Sequence, residues 1–136
     1  MSKPKRGWVW GKVLSAVEKA AIAATCDRLI ADVLKPRFLA EIRPTEFNYP
    51  VDMFDQWRGN KYSFIVRFRS GFPDNTGEEF NAAFARPDHL AEHIAGTRFD
   101  VMWHRHTGQW WRLHSCVPLD EALRLIETDP VLRPPI

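Results

Sequence analysis

Cysteine is scarce in this chain: Cys26 and Cys116 are the two thiols among 136 residues. Two are too few for a disulfide scaffold and fit reduced thiols in a cytoplasmic protein. Long apolar runs are lacking as well, and no stretch reaches the roughly 18 residues of a membrane span. The basic start followed by Trp8 to Val17 has the outline of a secretion signal. Lys12, Glu18 and Lys19 interrupt its apolar region, so the signal is rejected. No P-loop, G-x-G-x-x-G or G-x-S-x-G string occurs, leaving nucleotide binding and the usual serine-hydrolase plan without support. A strong net charge is absent too, at +2. Lys3, Lys5, Arg6 and Lys12 precede the first acid, Glu18, leaving 15 bases against 17 acids in the remainder. The basic character thus belongs to the first residues, and the body is a poor trap for a phosphate backbone.

Apolar residues make up 45% of the chain and charged residues 26%, the balance of a folded globular domain. Its length suits one domain that buries roughly two-thirds of its unfolded surface without a metal or disulfide. Residues 1–13 read as an arm mixing cations with Trp8 and Trp10, residues 14–130 as the domain, and residues 131–136 as a frayed end marked by Pro134 and Pro135.

Ser15 and Glu18 have capping-box spacing. Val17, Ala21, Ile22, Cys26, Leu29, Ile30 and Val33 follow at helical spacing up to Leu34. Pro36 is expected to end this long helix and push Lys35 out of it. Cys26 lies in its apolar stripe and reads as a buried structural thiol. After Pro36 the period becomes two: Phe38, Ala40 and Ile42 alternate with Leu39, Glu41 and Arg43, predicting a strand. A second strand is expected within Phe47 to Trp57, with Pro50 at an edge or bulge. Arg58-Gly59-Asn60-Lys61 is turn chemistry. From Lys61 to Arg69, Tyr62, Phe64, Val66 and Phe68 point one way and Ser63, Ile65, Arg67 and Arg69 the other. That split argues against an RNA-stacking platform, which needs aromatic and basic groups on one face. A loop over residues 70–77, a strand over Phe80 to Phe84 closed by Pro87, and a short helix over His89 to Ala95 capped by Asp88 come next. Strands over Arg98 to Arg105 and Gln109 to Ser115 and a helix over Leu119 to Thr128 complete the reading. The fold class is α+β: a single antiparallel sheet of about five or six strands with a long N-terminal helix and a short C-terminal helix.

The last two strands are the most informative part. A three-residue loop, His106-Thr107-Gly108, places the glycine where a type I turn plus bulge needs a left-handed residue. Trp103 then pairs Trp111 and Val101 pairs Leu113 on the core side. His104 faces Trp110, Met102 faces Arg112, and Asp100 faces His114 on the other. The alternative two-residue turn splits the apolar residues between faces and is rejected. The candidate site is therefore Asp100, Met102, His104, Trp110, Arg112 and His114, residue types that anchor binding. A helix or the arm covering this face is the competing reading.

Asp100 opposite His114 resembles the orienting half of an acid/base pair, but no nucleophile accompanies it. His104 and His114 lie on the order of 13 Å apart at strand spacing, too far to share a metal. His89, Glu92 and His93 match the H-x-x-E-H string of inverted zinc metalloproteases, on a helix of only about two turns and with no third ligand indicated. No cofactor is called for.

Met102-Trp103-His104-Arg105, Trp110-Trp111-Arg112-Leu113-His114, Leu119-Asp120-Glu121-Ala122-Leu123 and Asp129-Pro130 together resemble a family of small bacterial proteins catalogued only as a domain of unknown function. The resemblance covers about the last quarter of the chain, with His114 where the family suggests tyrosine. It implies a bacterial cytoplasmic domain and supplies no activity or catalytic residue. The residues favour a non-enzymatic module that binds a protein partner through the hairpin face. Nucleic-acid binding through the arm, or an acid/base or metal-assisted enzyme, are the alternatives; a membrane role is not expected.

Overall fold

The computed structural model describes residues 13–91 and 96–136. The arm up to residue 12 and the Glu92 and His93 part of the metalloprotease-like string lie outside the described residues.

Helix α1 (Ala16–Leu29) begins at the predicted capping box: the Glu18 amide donates to Ser15 Oγ and the Ser15 amide to Glu18 Oε1. Such a cap contributes about 1 kcal/mol. The helix then does not stop at Pro36. It widens into a π turn over Ile30–Leu34 and continues as α2 (Lys35–Phe38). Within that turn the Lys35 amide reaches back five residues to the Ile30 carbonyl. The wider turn takes the proline ring away from the carbonyl it would otherwise strike, which is how the helix runs through Pro36. The strand expected from Phe38 to Arg43 does not form. Phe38 closes α2, and Phe38 and Leu39 pack on the core while Ile42 stays in solvent. Three alternating apolar residues without a neighbouring strand have nothing to pair with.

Five strands form one antiparallel meander, β1 (Asn48–Arg58), β2 (Lys61–Ser70), β3 (Glu79–His89), β4 (Phe99–His104) and β5 (Trp110–Val117), lying side by side in chain order. Pro50 sits on the edge strand β1 at a bulge, where its missing N–H is tolerated. Between β2 and β3 the chain turns back through Gly71, whose amide donates to the Phe47 carbonyl at 2.8 Å. Strand β3 runs past Pro87, where the sequence predicted its end. Residues 85–89 pair with β4, and Asn60 in the β1–β2 turn bonds His89 from both its backbone carbonyl and its side-chain amide. Asp88 is therefore a strand residue paired with Arg86 and not a helix cap.

One face of the sheet carries the core. Met53, Tyr62, Phe64, Val66, Phe84, Phe99 and Val101 meet Ile22, Cys26, Ile30 and Leu34 of the N-terminal helix. Ala122 and Ile126 come from α3 (Leu119–Thr128), which ends close to its predicted position. A 3₁₀ turn over Pro130–Leu132 follows, and Leu132 is fully buried in the same core. The core thus reaches into the segment read as a frayed end.

Candidate functional site

The β4–β5 turn has the predicted chemistry. The Arg105 amide donates to the Gln109 carbonyl at 2.9 Å and the Gly108 amide to the Arg105 carbonyl at 2.8 Å. Gly108 has φ +87°, a conformation costly for any side chain. From this turn the pairs His104–Trp110, Trp103–Trp111 and Met102–Arg112 follow in the expected register. Met102, His104, Trp110 and Arg112 therefore share the sheet face opposite the core.

The register then shifts twice. Val101 pairs His114 instead of Leu113, so Leu113 is an extra residue, and Phe99 pairs Val117. Cys116, with φ +55°, occupies the second irregularity. One extra residue reverses the parity of all that follows, so Asp100 and His114 do not pair. Asp100 instead accepts the Cys116 amide at 3.0 Å and lies 3.7 Å from Arg112 Nη1. His114 turns toward the helix side, where its Nε2 lies 3.0 Å from Asp129 Oδ2. That contact holds the Asp129 carboxyl below its ordinary range, aided by the Val131 amide donating to its other oxygen. The candidate set loses His114 and with it the acid/base pair.

Arg86 of the neighbouring strand joins the face. Its guanidinium lies 4.4 Å above the Trp110 ring centre, and the His104 ring lies 4.8 Å from the same ring. Arg86 is oriented by a two-pronged ion pair with Asp88, at 2.8 and 3.0 Å. Burial raises the Asp88 carboxyl above its usual value, and Arg86 pulls it only part of the way back. Beside Trp110 a cleft of about 260 Å³ opens toward β1, lined by Arg58, Lys61, Ser63, Ile65 and Arg86 among others. Arg67 on the same face lies 4.9 Å above the Phe54 ring. Phe64 and Val66 are core residues, as predicted, but β1 and β5 supply aromatic rings to the basic face that the β2 pattern alone did not reveal.

The core-side pair is less buried than expected. Trp103 packs against the core, but Trp111, on an edge strand beyond the helices, is 49% exposed. Arg105 covers both, 5.4 Å from the Trp103 ring centre and 4.8 Å from that of Trp111. His89 ends β3, buried edge-on against Phe99 at 5.7 Å. A strand position cannot present it one helical turn from His93. Among the described residues no group of three His, Cys, Asp or Glu side chains is placed to hold a metal ion.

One titratable cluster escaped the sequence reading. Asp55 lies on the core side of β1, where Tyr62 donates its hydroxyl to Asp55 Oδ2 at 2.6 Å. Burial, then a hydrogen bond shared with Asp27, raises the Asp55 carboxyl to about 7, against the lowering effect of Tyr62. Burial and the same carboxyl push the Tyr62 hydroxyl up, and burial first of all pushes up the Cys26 thiol beside them. The signal was present: Asp55 has the strand parity of Met53 and Trp57.

Fold and site together define a small α+β domain, a five-stranded meander with helices on one face and a charged, aromatic hairpin on the other. The chain belongs to the family described as domain of unknown function DUF3024, whose model matches residues 14–132. The family likeness therefore spans the described fold and not only its last quarter. No curated protein and no solved structure matches the chain.

Proposed function

We propose that this domain is a non-enzymatic binding module that holds an acidic segment of a protein partner on the open face of its sheet. One observation carries the reading. The described helices pack on the opposite face, against β1 and β4, and leave Trp110 held by Arg86 and His104 beside a cleft lined with cations. Lys61 and Arg67 lie within electrostatic reach of Asp88 and Asp52, Arg67 Nε donates to Asn81 Oδ1 at 3.4 Å, and Arg112 holds Asp100 only at 3.7 Å. Met102 and Ile65 supply apolar ground between them. Arg112, whose side chain is 63% exposed, beside a fixed indole has the composition of interface anchors. The setting proposed is the cytoplasm of a bacterium, in keeping with two free thiols. No described helix is long and apolar enough to cross a membrane.

A nucleic-acid strand is the second reading, favoured by Arg and aromatic groups sharing this face and by the basic arm. Stacking requires a free ring face. Arg86 and His104 already lie against Trp110, and Arg67 against Phe54, so protein is preferred.

Titration of the full chain with an Asp/Glu-rich peptide, followed by tryptophan fluorescence, tests this reading. Binding should weaken at least about tenfold in Trp110→Ala and Arg86→Gln with the fold retained. Unchanged affinity in both would refute it. Capture of oligothymidylate instead, lost on deleting residues 1–12, would move the function to the arm.

A further inference from the structure

A second cleft, of about 400 Å³, lies on the other side of the hairpin, between its tip and the segment after α3. Its volume falls in the range of small-molecule sites. Phe84, Trp103, Val131 and Pro135 give it apolar walls, and Arg105 and Arg133 line it with positive charge. No Asp or Glu is among its described lining residues, so no described side chain lining the cleft neutralises the two guanidinium groups.

The state of Arg105 sharpens the point. The two indole rings orient its guanidinium, and no carboxylate does. Its Nε is buried with no hydrogen-bond partner, and neither Arg105 nor Arg133 makes an ion pair among the described residues. A buried donor without a partner is destabilising, and a planar fork of N–H groups matches an oxyanion well. Strand alternation sends Trp103 and Arg105 to the side opposite Trp110, while His104 and Ala83 at the hairpin tip border this cleft as well.

We propose that this cleft binds a small organic oxyanion: an apolar body against Trp103 and Phe84, with a carboxylate or phosphate held by Arg105 and Arg133. The site is independent of the partner-binding reading and stands or falls separately from it.

Calorimetric titration of the full chain tests it, with 3-phenylpropionate and phenyl phosphate as the anions and 3-phenylpropionamide as the uncharged control. At least one anion should bind saturably at one site, with the amide at least about tenfold weaker. Whichever anion binds more tightly identifies carboxylate or phosphate as the recognised group. Arg105→Gln and Arg133→Gln should each weaken binding by about tenfold or more. Arg133 is exposed and outside regular structure, so its variant keeps the test clear of misfolding. Absence of saturable binding by both anions, equal binding of the amide, or wild-type affinity in a folded Arg133→Gln protein would overturn the proposal.

Discussion

Asp55 shows how one residue's position can set a pH response. Its folded-state value near 7 lies above the ordinary aspartate value of 3.8, so folding favours the protonated form. The sign follows by linkage: the stabilisation is complete below the ordinary value and is lost as pH rises through about 7. Asp55→Asn cannot ionise and lacks this loss. Urea midpoints measured from about pH 4 to about pH 8 should therefore shift in favour of the variant as pH rises. A gap between the two proteins that does not change with pH would show that Asp55 keeps an ordinary acidity. Cys26, fully buried with its thiol pushed up, should resist a thiol reagent until the protein unfolds, whereas exposed Cys116 should react at once. Prompt labelling of both thiols in the native protein would contradict the burial of Cys26. The helical stripe pointed to Cys26 being buried, but nothing in the stripe pointed to Asp55 and Tyr62 beside it.

Individual elements separate local rules from tertiary ones. The capping box, the period-two run of β2, the tight turn at Gly108 and the extent of α3 follow from neighbouring residues and were legible. Three features were not. A π turn carries the helix past Pro36, Asn60 fastens β3 beyond Pro87, and the extra residue Leu113 in β5 turns His114 from Asp100 to Asp129. The last two depend on partners distant in sequence, and the first on a widened turn that no residue pattern announces. Gly71 belongs with them. It reads as loop composition, yet a β-carbon there would come within 1.9 Å of the Thr45 carbonyl oxygen and 2.8 Å of that of Phe47. Because both obstacles are backbone, Gly71→Ala should destabilise the domain by about 2–4 kcal/mol, beyond the usual cost of overpacking. An equilibrium denaturation curve within about 0.5 kcal/mol of wild type would contradict that close approach.

At the scale of the whole fold, the decisive feature is that the described helices cover one side of the sheet. Helices from the two ends of the chain converge on a single face, and Leu132 extends that cover past the last helix. Leu132→Ala should therefore cost about 2–5 kcal/mol, as for a core leucine, and a denaturation series would detect it. A loss below about 0.5 kcal/mol would mark the tail as frayed instead. The same one-sided cover leaves Arg86, His104, Trp110 and Arg112 on the open face. Four of the six residues singled out from the hairpin, Met102, His104, Trp110 and Arg112, are brought together there in the predicted register. Asp100 stays nearby at 3.7 Å from Arg112, and His114 departs. Arg86 was missed because it belongs to another strand, whose order in the sheet no local pattern encodes.

The sequence by itself determined the α+β class, the start of the first helix, the alternation of β2 and the turn that sets the hairpin register. All of these rest on interactions within a few residues, where spacing and side-chain chemistry are sufficient. Only the tertiary structure decided which carboxylate meets which imidazole, which acid is buried, which arginine orients against which indole, and where the two clefts open. Those outcomes depend on strand order and on single-residue register shifts, and one extra residue in a strand sends each later side chain to the opposite face.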